Sequence, residues 1–324
     1  MPDGLVIRRA TGADRPAVLR LLSATLGWLP DEHHGALFEW KHDRNPFGPS
    51  PAWVAVDEAS GTIAGFRTFM RWEFERDGEI VRAVRAVDTA TDPAYRGRGI
   101  FRRLTLQAVE ELTSEGVEFV FNTPNDQSRP GYLKMGWEIV GRVPIRVRLR
   151  SPLATLRVLR ARAPAELWSD APTAGEEVDR LLDRGALALA PRRRDGRLRT
   201  RLDEAVLRWR YGGFPPLGYR GIVDPVSGGT AIVRLRTRGD ATEAAIDDVL
   251  TVDDDPRAVA HAAVVAARAS GADYAILTTA RPLGRSGFVP VPRRGPILTW
   301  RALASATKPR LDQWRLVLGD VELF

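Results

Sequence analysis

The sequence predicts an α/β (α+β) protein built from two tandem copies of one unit. Strand-like runs lead into a glycine loop that opens a helix, and a buried strand, Val117-Glu118-Phe119-Val120-Phe121, follows. The landmarks then recur in the same order. Leu37-Phe38-Glu39-Trp40-Lys41 is answered by Val206-Leu207-Arg208-Trp209-Arg210, and Trp53-Val54-Ala55-Val56-Asp57 by Arg220-Gly221-Ile222-Val223-Asp224. Glu115-Gly116-Val117-Glu118-Phe119 is answered by Ser270-Gly271-Ala272-Asp273-Tyr274, and Met135-Gly136-Trp137 by Ser286-Gly287-Phe288. The 324 residues also suit two domains of about 150 residues each. The expected boundaries are 1–150, an Arg-rich connecting region with a helix at 151–200, and 201–324.

Leu5-Val6-Ile7-Arg8 reads as a strand. Thr11 with Asp14 three residues on is a helix start, and Leu19, Leu22 and Leu26 form its apolar stripe. A short aromatic helix with Phe38 and Trp40 leads into the loop Asn45-Pro46-Phe47-Gly48. Strands are expected at 52–57, 62–75 and 79–91, the last two joined by a hairpin at Asp77-Gly78. A helix from the glycine loop to Glu115 ends at Gly116. After the buried strand come a short helix at 127–135 and a final strand pair from Trp137 to Arg150. Beyond it, a helix near 175–190 and an exposed loop at Arg192-Arg193-Arg194-Asp195-Gly196 are expected.

Composition excludes several chemistries. With no cysteine there is no disulfide, no thiolate metal site and no catalytic thiol. His33, His34, His42 and His261 are too scattered to suggest zinc, and no metal is expected. No apolar run reaches the about 18 residues of a membrane span. Met1-Pro2-Asp3-Gly4 opens no signal peptide, so a cytoplasmic protein is expected. The net charge of +7 is local: residues 142–210 hold 17 Arg against nine acids, and only Lys41, Lys134 and Lys308 of the 48 basic residues are lysines. No aromatic-interleaved basic stripe accompanies the charge, so nucleic acid is not an expected partner.

The chemistry concentrates in Thr89-Ala90-Thr91-Asp92-Pro93-Ala94-Tyr95-Arg96-Gly97-Arg98-Gly99-Ile100-Phe101. Gly97 and Gly99 let backbone N–H groups converge at a helix start, whose dipole favours a diphosphate. Arg96, Arg98 and Arg102 add charge. It is neither a Walker loop nor a dinucleotide fingerprint, because the spacing fails both. The segment resembles the coenzyme A pyrophosphate loop, Arg/Gln-x-x-Gly-x-Gly/Ala, of the GCN5-related N-acetyltransferase (GNAT) family. Phe101 departs from it at the final small position. Asn125, Tyr132, Lys134, Gly136 and Trp137 match that family's Asn…Tyr-x-Lys-x-Gly-Phe segment, with Ser128 where Ala is usual and Trp137 where Phe is usual. The resemblance covers residues 5–150.

It implies two tandem GNAT-like domains, each a mixed, mostly antiparallel sheet flanked by helices. It implies acetyl-CoA, or another acyl-CoA, as co-substrate, with the pantetheine along the backbone of Thr89, Ala90 and Thr91, and Arg96, Gly97, Arg98, Gly99, Ile100, Phe101 and Arg102 at the diphosphate. The strand before the loop should splay from its neighbour, often at a bulge. Tyr132 maps onto the general acid that protonates the leaving thiolate, and Asn125 onto a cofactor contact. Asp88 is the first choice for the base, ahead of Glu73 and Glu75. Trp40 and His42 are placed on the acceptor side, and Trp40, Trp53 and Trp72 line either a cleft or the core. From Pro93 to Gly116 is 23 residues, whereas from Pro256 to Gly271 is 15, and Leu283 stands where Tyr132 would recur. The second copy therefore lacks the loop and the acid and reads as degenerate, with Trp209 and Tyr211 the first candidates for acceptor contacts from it. The expected activity is direct acyl transfer to a small-molecule amine by a monomer or homodimer. The alternatives are a non-catalytic acyl-CoA-binding regulator and a protein N-acetyltransferase.

Overall fold

Asp77 and Gly78 both take left-handed backbone, with φ of 54° and 94°, and turn one long strand back on itself. That hairpin is the middle of the first of two sheets in the computed structural model. The structure describes residues 4–28, 33–151, 154, 157, 164–185, 194–304 and 307–321. The strands are β1 (Leu5–Arg9), β2 (Ala52–Asp57), β3 (Ile63–Arg76), β4 (Glu79–Thr91), β5 (Phe119–Asn122), β6 (Glu138–Arg142), β7 (Ile145–Leu149), β8 (Arg199–Thr200), β9 (Arg220–Val223), β10 (Thr230–Arg238), β11 (Ala241–Leu250), β12 (Tyr274–Thr278), β13 (Val289–Pro290) and β14 (Ile297–Ala302). The helices around the first sheet are α1 (Arg15–Leu26), α2 (His33–His42), α3 (Ile100–Ser114) and α4 (Arg129–Lys134).

The first unit holds residues 1–74, 80–141 and 297–309. Its sheet runs β1-β2-β3-β4-β5-β14-β6. The two residues of β8 also pair with β3, whose last residues, Glu75 and Arg76, belong to the second unit. Thr11 and Asp14 form the expected capping box, Asp14 accepting from the Thr11 backbone N–H at 2.8 Å and from its hydroxyl at 3.0 Å. On one face Val18, Leu21 and Leu22 pack with Val54, Phe66 and Ala90. On the other, Ile100, Leu104, Ala108 and Leu112 pack with Phe69, Val84 and Ala86. Each fully buried leucine contributes about 1.5–3 kcal/mol. A strict two-residue period puts Ala86 and Ala90 on one face, yet they lie on opposite faces. Asp88 between them has φ of 34°, and this irregularity flips the strand.

The second unit holds residues 75–79, 142–296 and 310–324, with sheet order β13-β7-β12-β11-β10-β9. Ala263, Ala266 and Ala267 of the helix Pro256–Ala269 pack with Ala231, Val233, Ala244 and Ile246 of this sheet. Hairpin, helix and parallel strand recur: β4, α3 and β5 in one unit, and β11, Pro256–Ala269 and β12 in the other. The fold is thus two mixed α/β sheets flanked by helices.

Two expectations are corrected here. Trp137–Arg150 is not a strand pair, because β6 lies in the first sheet and β7 pairs with β12 and β13 in the second. Only Val143 and Pro144 separate them. The proline has no N–H and keeps its predecessor extended, so the chain runs on instead of reversing. The place beside β5 is taken instead by β14, through Thr299↔Asn122 to Ala302↔Phe119. β7 and β14 therefore each join the sheet of the other sequence half. The helix expected near 175–190 spans Val178–Asp183, and residues 186–193 lie outside the described residues. In the expected exposed loop, Arg194 and Gly196 are exposed, while Asp195 is half-buried and ion-paired with Arg197 and with Arg199.

Candidate active site

β4 and β5 pair in parallel only from Ala83↔Phe119 to Arg85↔Phe121, while β4 continues to Thr91. Past Arg85 the strands part, as the family resemblance leads one to expect. Thr89 turns its hydroxyl to the Phe66 carbonyl at 3.3 Å, and Ala90 is buried, so what this stretch offers to the β5 side is backbone. β4 ends at Asp92, whose side chain accepts from the Ala94 N–H at 2.8 Å and starts the turn Pro93–Tyr95.

Gly97 and Gly99 then take φ of 81° and 69°, and a Cβ added at either would meet nothing within 4 Å. α3 begins at Ile100 with Gly99 as its cap and no side chain bonded there, so its first N–H groups are left for another partner. Arg96, Arg98 and Arg102 are exposed around this opening, and Arg98 stacks on the Tyr95 ring at 4.9 Å. A diphosphate fits this set of donors. The corresponding helix of the second unit is different. There the Asp255 carboxylate accepts from the N–H groups of Arg257 and Ala258 at 3.2 and 3.3 Å, so a side chain already supplies the anion.

Tyr132 is 3% exposed, with its ring 5.4 Å from Phe101 and 5.1 Å from Trp137. Phe101 has room because residue 131 is glycine: a Cβ there would lie 3.2 Å from the ring. The Tyr132 hydroxyl has no hydrogen-bond partner among the described residues. Asn125 is exposed and its side-chain carbonyl accepts from the Ser128 N–H and hydroxyl, both at 2.9 Å, so it builds the turn into α4.

On the opposite face, Asp88 is held by two residues of α2. Lys41 Nζ lies 2.8 Å from Asp88 Oδ2, and His42 Nε2 lies 2.7 Å from the same oxygen. The side chains of Lys41, His42 and Asp88 are 4%, 3% and 13% exposed. Burial alone would raise the Asp88 carboxyl, but the Lys41 ammonium and the His42 hydrogen bond outweigh it and hold it below the ordinary carboxylate range. Burial pushes His42 below its ordinary value, against the pull of Asp88. An ionised carboxylate only accepts, so His42 carries its proton on Nε2. Nδ1 is then a buried lone pair with no partner among the described residues. His42, Thr11, Arg15, Phe38, Phe66 and Thr68 line a cavity of about 170 Å³.

Trp40, Trp53 and Trp72 are all buried, and Trp53 Nε1 donates to Glu111 at 3.0 Å, so they belong to the core and line no open cleft. Trp209 and Tyr211 are likewise buried, inside the second unit. Sequence reasoning passed over two cations. Lys41 had a signal: it is one of three lysines in an arginine-rich chain. Arg67 had another, as a charge on the apolar run Ala64-Gly65-Phe66-Arg67-Thr68-Phe69-Met70. No group of residues fit to hold a metal occurs among the described residues, and no described helix is long and apolar enough to cross a membrane.

The family model of the acetyltransferase (GNAT) domain matches residues 6–140. That stretch, about two fifths of the chain, carries a GNAT domain. The mycothiol acetyltransferase of Thermobifida fusca is 34% identical over 114 residues, which is 30% of this chain and 33% of that protein. The chain spans between 33% and 46% of the length of the mycothiol acetyltransferases it matches. Among solved structures, a GCN5-related N-acetyltransferase of Anabaena variabilis superposes with a TM-score of 0.61 at 15% identity, over 93% of this chain and 73% of that one. One of Kribbella flavida gives 0.59 at 15%, over 92% and 71%. At that identity the likeness shows the fold.

Proposed function

We propose that this GNAT protein transfers the acyl group of an acyl-CoA, acetyl in the simplest case, to the amine of a small molecule in a ternary complex. The observation that carries it is the uncapped start of α3 behind Gly97 and Gly99, beside a strand that has left its parallel neighbour. Coenzyme A supplies a thioester, whose sulfur is a good leaving group. The N–H groups at residues 97–102 and the nearby arginines would hold its diphosphate, and the backbone of 89–91 its pantetheine. His42 Nδ1 takes a proton from the amine, directly or through one water, as the C–N bond forms. Asp88 fixes the ring and offsets the charge it gains. Tyr132 gives its proton to sulfur as the C–S bond breaks, so amide and free thiol leave. In this reading Asp88 is a positioning residue and the base is its histidine partner. Supporting a single site per chain, the second unit fills its own helix start with Asp255.

The name of the mycothiol acetyltransferases favours a small acceptor here too. The test is thiol release from acetyl-CoA with a panel of small amines, free of background because the protein has no cysteine. Amine-dependent release supports the reading. Binding without turnover on any amine makes the protein a sensor, and turnover on peptides alone makes it a protein acetyltransferase.

A further inference from the structure

Arg67 is fully buried, at 0% exposure, and its Nε, Nη1 and Nη2 all lack a hydrogen-bond acceptor among the described residues. Its guanidinium carbon lies 4.6 Å from the Phe69 ring centre, 5.5 Å from Phe101 and 5.3 Å from Tyr132. The rings supply cation–π attraction, but none of them accepts the N–H donors in the guanidinium plane. A buried cation with an empty fork is a large penalty unless an anion completes it. The surroundings say which anion. A planar fork matches a carboxylate through two parallel bonds. The diphosphate would have the exposed arginines and the helix start at residues 96–102, whereas Arg67 is fully buried. One of the three rings around Arg67 belongs to Tyr132, the residue proposed to meet the sulfur, so a carboxylate here would sit on the acyl group.

Resting on the function proposed above, we infer that Arg67 is a specificity residue for an acyl-CoA whose short acyl chain ends in a carboxylate, such as succinyl or glutaryl. The transfer itself is unchanged: the amide C–N bond forms, the C–S bond breaks, and the distal carboxylate stays ionised against Arg67.

The experiment is calorimetry on the full chain without acceptor, using CoA, acetyl-, butyryl-, succinyl- and glutaryl-CoA. Succinyl- or glutaryl-CoA should bind about tenfold tighter or better than butyryl-CoA, which matches succinyl in length without the charge. Arg67→Met should erase that preference and leave CoA and acetyl-CoA affinity unchanged, and Arg67→Lys should restore part of it. Equal affinity for butyryl- and succinyl-CoA in the wild type overturns the inference, whatever the variants do. So does a preference that survives in Arg67→Met. Failure of CoA itself to bind overturns the proposed function as well, whereas CoA binding without carboxylate discrimination overturns this inference alone.

Discussion

His42 donates its Nε2–H to Asp88 across 2.7 Å, and this bond leaves Nδ1 as a buried, unengaged lone pair. The pair joins α2 to the flipped segment of β4, where Asp88 takes left-handed backbone. Three effects act on one histidine: burial favours its neutral form, the carboxylate fixes its tautomer, and the free nitrogen is basic.

His42→Gln should lower kcat about 10²-fold or more while acyl-CoA binding, read by calorimetry, stays the same. The wild-type rate should fall on the acid side with a midpoint below 6.5, because burial lowers His42 and only the neutral ring takes a proton. An unchanged kcat, with chemistry shown to be rate-limiting, would remove His42 from the mechanism.

The same groups set how stability responds to acid. The folded His42 resists protonation and the unfolded one does not, so its contribution is complete above 6.5 and declines as pH falls below that value. Asp88, also lowered, adds stability that is full above about 4 and is lost as pH falls through its folded value. Urea unfolding of His42→Gln should lack the wild-type loss between pH 6.5 and 5. Asp88→Asn should cost about 3 kcal/mol at pH 7, the low end for a broken buried pair, because Lys41 keeps other contacts. A flat wild-type profile over that window would contradict the assigned charge states.

Much of the site was legible because it is local. Pro93, Gly97 and Gly99 dictate a turn and an open helix start whatever surrounds them, and the Asp-Gly pair fixed the hairpin. Asp88 was found by its place before the loop, but its chemistry was not, since that depends on Lys41 and His42, 47 and 46 residues away. The exchanged strands were invisible for the same reason. Thr299 bonds Asn122 across 177 residues, and alternation shows that a segment is a strand without showing which sheet it enters. The tryptophans misled because an aromatic suits a core and a sugar cleft equally well.

Tyr132→Phe should cost about 10²-fold or more in kcat and less than about 1 kcal/mol in folding. The ring keeps its places against Phe101 and Trp137, and the hydroxyl surrenders no bond to the described residues. Full activity would reduce Tyr132 to packing. A large loss of stability would instead reveal a hydroxyl partner.

Gly99→Asp would bring a carboxylate to the start of α3, on a left-handed backbone unlike that of Asp255 at the helix start of the second unit. Aspartate tolerates left-handed backbone better than most residues, so folding should change by no more than about 1–2 kcal/mol. Acyl-CoA affinity should fall about 10²-fold or more, because a carboxylate would sit where the diphosphate belongs. Retained affinity would move the diphosphate away from this loop.

A fragment of residues 1–150 should be insoluble or molten, and the reason is a missing strand. It lacks β14, so β5 and β6 lose the neighbour between them, and two further strand edges are left unpaired. Leu298 and Trp300 of that strand are 0% and 2% exposed, so the fragment also loses core side chains, each worth about 2–5 kcal/mol. Fusing residues 297–309 to the fragment through a flexible linker should restore a cooperative thermal transition and thiol release. One rival outcome is physically sensible: freed from the second sheet, β7 folds back into the vacant place. That fragment would be soluble and active alone, and Val147→Pro, which blocks a central strand, would abolish both properties. If it occurs, the exchange of β7 and β14 is dispensable for the chemistry, and the second unit is held for another purpose.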